Sequence, residues 1–98
     1  MTREEAIARI KPHEAELRAA GIVSLALFGS VARGDARTGS DVDLMCEIDG
    51  NSRMGLIEFA DVQLRLENFM QCRVDLVERA AMRPRIRAAA ETDMVAIF

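Results

Sequence analysis

Leu27-Phe28-Gly29-Ser30 closes one apolar run, and Asp41-Val42-Asp43-Leu44 opens the next after ten intervening residues. In an extended strand the side chains alternate faces, so Asp41 and Asp43 project to one side. Val42, Leu44, Cys46 and Ile48 then fall on the other side, where a core belongs. Two carboxylates about 5 Å apart repel by about 3 kcal/mol at an effective dielectric of about 20. Water can screen that repulsion, but a divalent cation turns it into a site. Mg²⁺ takes one or two carboxylates together with substrate phosphates, and a Gly-Ser turn is a natural seat for those phosphates. The stretch reads as metal-assisted chemistry on a nucleotide.

The flanking sequence supplies the frame. Ile22 to Phe28 is almost wholly apolar and predicts a buried strand. Val31-Ala32-Arg33 makes one short helical turn that Gly34 ends, and Asp35 to Ser40 is a polar loop. Val42 to Ile48 is the second strand, stopped by the turn formers Asp49-Gly50-Asn51-Ser52. Upstream, Thr2-Arg3-Glu4-Glu5 has the form of a capping box, with Ile7 and Ile10 facing inward. Pro12 interrupts that helix, and a second piece from His13 to Ala20 carries Leu17 inward and stops at Gly21. His13, the only histidine, has no Cys or carboxylate at ligand spacing and is set aside as a catalytic group.

Downstream, Met54 to Met70 predicts a helix of about five turns, with Leu56, Phe59, Ala60, Val62, Leu66 and Phe69 on its apolar face. Arg73-Val74-Asp75-Leu76-Val77 is a third short strand with Asp75 facing away from Val74 and Leu76. Pro84 opens a last helix through about Glu91, and Met94 to Phe98 forms a terminal strand or a docked tail. The order αββαβα predicts an α/β fold: a small mixed β-sheet with helices packed mainly on one face, in one domain over residues 1–98. With the Val42, Leu44 and Cys46 face covered, Asp41, Asp43 and Asp75 share the other face beside the Gly-Ser turn. An isolated Asp-x-Asp is ordinary on a surface strand. The combination of turn, pair and third carboxylate is the signal.

Composition sets the bounds. Half of the 98 residues are hydrophobic, yet only four are aromatic, all Phe, so the core is aliphatic. The formal charge is −3 and no basic block dominates, which argues against direct nucleic-acid binding through clustered Lys and Arg. Cys46 and Cys72 sit in strand-like apolar runs and read as two buried free thiols of a reducing compartment. A charged N-terminus and the lack of a long apolar run predict neither signal peptide nor membrane span, hence a cytoplasmic protein.

These residues resemble the DNA polymerase β-like nucleotidyltransferase superfamily, and more narrowly its minimal nucleotidyltransferase (MNT) proteins. The family pattern of Gly-Ser, ten residues and Asp-x-Asp stands here as Gly29-Ser30 and Asp41-Val42-Asp43. Leu27-Phe28, Ala32-Arg33-Gly34, Ser40 and Leu44 agree in the flanks, and Asp75 matches the third carboxylate on the next strand.

The resemblance implies that Asp41, Asp43 and Asp75 are the catalytic and metal-binding carboxylates, holding two Mg²⁺ ions against the triphosphate of ATP. It implies that Gly29, Ser30 and the amides after them hold the β- and γ-phosphates. Arg33 either packs on the polar loop or touches the nucleotide, and Ser40 either closes the turn into the strand or lies near substrate. Glu47 shares the carboxylate face but lies too far along the strand to join the first metal. The chain lacks the acceptor-gripping domain of larger relatives, so its acceptor comes from another molecule. MNT proteins of this size resemble antitoxins paired with HEPN-type toxins, which implies AMP transfer to a toxin tyrosine within a hetero-oligomer. The chain has no Tyr to act on itself. Arg79, Arg83, Arg85 and Arg87 form either a solvated helix face or a contact for an acidic partner or the nucleotide. Two rival functions remain: an antitoxin that neutralises its toxin by occlusion alone, and a small-molecule adenylyltransferase.

Overall fold

The computed structural model describes residues 1–37 and 39–98; Thr38, within the polar loop expected from Asp35 to Ser40, lies outside the described residues. The first helix, α1 (Arg3–Ile10), starts where the Thr2 hydroxyl accepts the Glu5 amide at 3.1 Å, half of the expected capping box. Pro12 diverts the chain through a 3₁₀ turn at Lys11–His13 into α2 (Glu14–Ala20). Gly21 ends α2 at φ +115°, a conformation that glycine adopts without a Cβ penalty.

From there β1 (Ile22–Phe28) leads into the five-residue helix α3 (Gly29–Arg33) and back as β2 (Val42–Ile48). The helix α4 (Leu56–Met70), the strand β3 (Val74–Glu78), a 3₁₀ turn at Arg79–Ala81, the helix α5 (Pro84–Asp93) and the strand β4 (Val95–Ala96) complete the chain. The sheet order is β3-β2-β1-β4. β1 runs antiparallel to β2 and β4, whereas β2 and β3 are parallel. The mixed sheet and α/β order match the expectation.

One sheet face carries Leu25, Leu27, Val42, Leu44, Cys46 and Leu76, buried against Ala6, Ile10, Leu17, Val62, Leu66 and Met70 of α1, α2 and α4. The opposite face is divided. Its middle, Ala26 and Met45, is covered by Ala90 of α5, with Phe28, Val77, Met82 and Met94 around the edge. The end that carries the carboxylates is left uncovered, because α5 spans only part of that face.

Three details differ from the sequence reading. The helix α4 begins at Leu56 rather than Met54: Gly55 precedes it, and Glu58 Oε1 accepts the Gly55 amide at 2.9 Å. Its first turn overhangs the sheet, so Leu56 is 86% exposed and Ala60 is exposed too, leaving Phe59, Val62, Leu66, Phe69 and Met70 to form the apolar face. Cys72 lies in the turn between α4 and β3, only half-buried, while Cys46 is buried with its thiol pushed up to about 12 by burial. His13 has the carboxylate partner that was not expected. Its Nδ1 lies 2.9 Å from Glu16 Oε1 and its ring stacks on Phe69 at 3.6 Å, joining α2 to α4.

These packing differences are directly measurable. Leu66→Ala is expected to lose about 2–5 kcal/mol, and Leu56→Ala less than about 0.5 kcal/mol. Urea unfolding followed by circular dichroism measures both; the chain has no Trp to report by fluorescence.

Candidate active site

Phe28, Asp43 and Asp75 occupy one row across three strands, because the register pairs Phe28 with Asp43 and Asp43 with Asp75. Adjacent strands lie about 4.8 Å apart, which brings the two carboxylates side by side on the uncovered end of the sheet. Asp41, one alternation earlier, projects to the same side just before β2 begins. Asp41 and Asp75 are exposed and Asp43 is half-buried. Burial pushes the Asp43 carboxyl above its usual range, the charges of Asp75 and Asp41 push it further, and Arg33 partly offsets them. All three carboxylates therefore share one electrostatic environment.

The turn closes against this row. Gly29 has φ +73°, and a Cβ built there would overlap Asp43 Oδ2 and lie 3.1 Å from Asp43 Cγ. Both constraints require glycine at this position. Ser30 sits half-buried in the first turn of α3, whose leading amides have no acceptor within the helix. Its carbonyl accepts the Asp35 amide at 3.0 Å, tying the following loop back to the turn.

The remaining expected site residues have visible partners. Arg33 Nε lies 3.2 Å from Asp35 Oδ2 and Nη1 lies 3.4 Å from Asp93 Oδ2. These hydrogen bonds, Asp35 first, raise its pKa and hold it on the loop and on α5. Ser40 closes a turn: its hydroxyl accepts the Arg37 amide at 3.0 Å, and its own amide donates to the Arg37 carbonyl at 3.0 Å. Glu47 is engaged elsewhere, accepting from Ser24 Oγ at 2.7 Å, with Arg79 at 3.7 Å. Sequence reasoning missed Phe28, the neighbour of Asp43 in the row, and Asp93, the second partner of Arg33. Alternation along β1 would have found Phe28; the Asp93 pair left no local signal.

Among the described residues, no group of three or more His, Cys, Asp or Glu converges as a ready-made metal cage. The donor set is instead an open row of carboxylate oxygens beside a glycine-lined turn. That chemistry suits Mg²⁺, which binds through one or two carboxylates and completes its shell with phosphates and water.

The nucleotidyltransferase domain family matches residues 10–97. The chain belongs to this family. A curated relative, protein adenylyltransferase MntA of Thermococcus cleftensis, is 31% identical over 96 residues, covering 97% of this chain and 95% of the relative. A solved structure of a candidate minimal nucleotidyltransferase is 33% identical, with a TM-score of 0.82 over 97% of this chain and 95% of its own. A toxin–antitoxin crystal structure with AMP-PNP has a TM-score of 0.71 at 17% identity, over 100% of this chain and 73% of its own, and shows the shared fold. The protein is a nucleotidyltransferase with a nucleotide substrate.

The ionised form of Asp43 is disfavoured by folding, so its folded pKa lies above its unfolded one. It contributes stability that is complete below the ordinary carboxylate range and is lost as pH rises through the raised value. Asp43→Asn is therefore expected to unfold at higher urea than wild type at neutral pH, with the difference closing by about pH 3. A second comparison isolates the turn. Gly29→Ala and Gly39→Ala both force alanine into a left-handed conformation, at about 1–2 kcal/mol each. Only Gly29→Ala must also displace the Asp43 carboxylate, since among the described residues a Cβ built at Gly39 meets no atom within 4 Å beyond its chain neighbours. Gly29→Ala is thus expected to be the more destabilising in matched urea titrations.

Proposed function

We propose that this nucleotidyltransferase is a Mg²⁺-dependent protein adenylyltransferase, the antitoxin of a HEPN–MNT pair, moving AMP from ATP to a tyrosine hydroxyl of its toxin. The observation that carries this reading is the row in which Asp43 stands beside Asp75 and against Gly29. It brings carboxylates and the left-handed Gly29 turn together on the same uncovered end of the sheet. Relatives named as protein adenylyltransferases support the reaction class, and toxin–antitoxin structures of the same fold support the setting.

In this reading Asp41 and Asp43 hold the metal, with Asp75 completing a second position. Bound there, Mg²⁺ neutralises triphosphate charge and stabilises the attacking and leaving oxygens. The turn at Gly29 and Ser30 cradles the β- and γ-phosphates, and its glycine lets them approach the backbone closely. Asp75, exposed at the end of the row, receives the proton of the acceptor hydroxyl. The phenolic oxygen then forms a bond to the α-phosphorus, and the bond from that phosphorus to the β-bridging oxygen breaks to release pyrophosphate. Arg33 orders the loop through Asp35 and moderates the charge on Asp43. Ser40 shapes the turn that delivers Asp41. The functional unit is the domain over residues 1–98 in a hetero-oligomer with the toxin, and a cytoplasmic setting fits its use of ATP and its two free thiols.

The test is to incubate the chain with the unmodified toxin of the adjacent reading frame, Mg²⁺ and ATP, and to weigh the toxin by mass spectrometry. Addition of one or more AMP units is expected, slowed at least about 10²-fold by Asp43→Asn and abolished by chelation of the metal. Full protection of cells by an Asp41→Ala chain that transfers no AMP would instead assign neutralisation to occlusion.

A further inference from the structure

The carboxylate row does not end in open solvent on every side. Asp75 also lines a groove of about 710 Å³ along β3, between the overhanging first turn of α4 and the start of α5. Its walls are mainly apolar: Phe28, Phe59 and Met82 are half-buried, and Leu56 and Ile86 are 86% and 54% exposed, while the half-buried Glu78 adds a second carboxylate beside Asp75 on the β3 side. Single exposed apolar side chains are ordinary, but several facing one groove mark an interaction surface. Arg83 lines the same groove and Arg85 follows one residue before Ile86. Arg79 and Arg87 close onto Glu91 at 2.8 and 3.5 Å, whereas Arg83 and Arg85 stand exposed at the N-terminal end of α5.

We propose that this groove docks the acceptor protein through an amphipathic segment, whose apolar side chains seat against Met82, Ile86 and Leu56 while its carboxylates meet Arg83 and Arg85. The inference rests on the adenylyltransferase reading and names where its protein substrate binds. Two observations select this occupant. The groove is continuous with Asp75, so a segment lying in it carries a hydroxyl to the carboxylate that takes its proton. Arg83 on the groove wall and the exposed Arg85 beside Ile86 put the positive charge on the α5 side, while Asp75 and Glu78 lie on β3, so acidic side chains fit along the α5 edge of the segment. A second copy of this chain fits less well, because it has no tyrosine to present.

Ile86→Asp and the double variant Arg83→Glu/Arg85→Glu test the surface with side chains that are exposed, so the fold is retained; urea midpoints check this. The toxin of the adjacent reading frame serves as probe. Each variant is expected to raise KM for the toxin at least ten-fold, with kcat at saturating toxin and Mg²⁺-dependent binding of a fluorescent ATP analogue unchanged. The conservative variant Ile86→Leu is expected to keep the wild-type KM. An unchanged KM in both variants overturns the proposal, as does a wild-type homodimer that Ile86→Asp dissociates without change in toxin KM, which would assign the groove to a second copy. Calorimetric binding of toxin to Asp43→Asn, with and without Ile86→Asp, separates the two levels. Weakened binding alongside a wild type that transfers no AMP sinks the chemistry and keeps the docking site.

Discussion

The Asp43 carboxylate is held where electrostatics alone would not put it: half-buried, beside two like charges and against the backbone of Gly29. The parallel register of β2 and β3 imposes the first condition by setting Asp43 level with Asp75. The left-handed Gly29 imposes the second by removing the only atom that would separate turn and carboxylate. The aliphatic core on the far face supplies the free energy that offsets both, since buried apolar area is the dominant favourable contribution to folding. On the proposed function, this internal repulsion preorganises the site for a cation, because the unfavourable charge arrangement exists before any ligand arrives.

The second sheet face shows how a small domain reconciles a core with a site. α5 covers Ala26 and Met45 but stops short of the carboxylates. Had the whole face been covered, Asp43 and Asp75 would be buried without partners, at a cost of several kcal/mol per ion. Had none been covered, Met45 and Phe28 would be open to water. The division also creates the groove, since the 3₁₀ turn before α5 and the overhang of α4 leave β3 flanked on both sides.

Much of this was legible in the sequence where structure is local. Both long strands are legible, Ile22–Phe28 from a nearly continuous apolar run broken only by Ser24, and Val42–Ile48 from the alternation of Val42, Leu44, Cys46 and Ile48, each bounded by Gly and polar turns. The placement of Asp41, Asp43 and Asp75 on one face follows from alternation once the helices cover the other. What was not legible is non-local. The register that aligns Asp43 with Asp75 depends on the path of α4, and no pattern within either strand encodes it. The start of α4 is not legible because Met54 fits the apolar spacing, whereas the Glu58 carboxylate decides the first turn by accepting the Gly55 amide. Arg33 stayed ambiguous for a similar reason: its second carboxylate partner, Asp93, lies sixty residues away at the end of a helix that runs past the expected Glu91.

That Arg33–Asp93 pair makes α5 a shared strut. At one end it walls the groove beside Asp75; at the other it grips the short helix that begins at Gly29. Ten residues of α-helix form a rod about 15 Å long, stiff enough that tilting one end displaces the other. On the proposed function, docking of a protein at one extremity and binding of a triphosphate at the other are therefore mechanically joined rather than independent events.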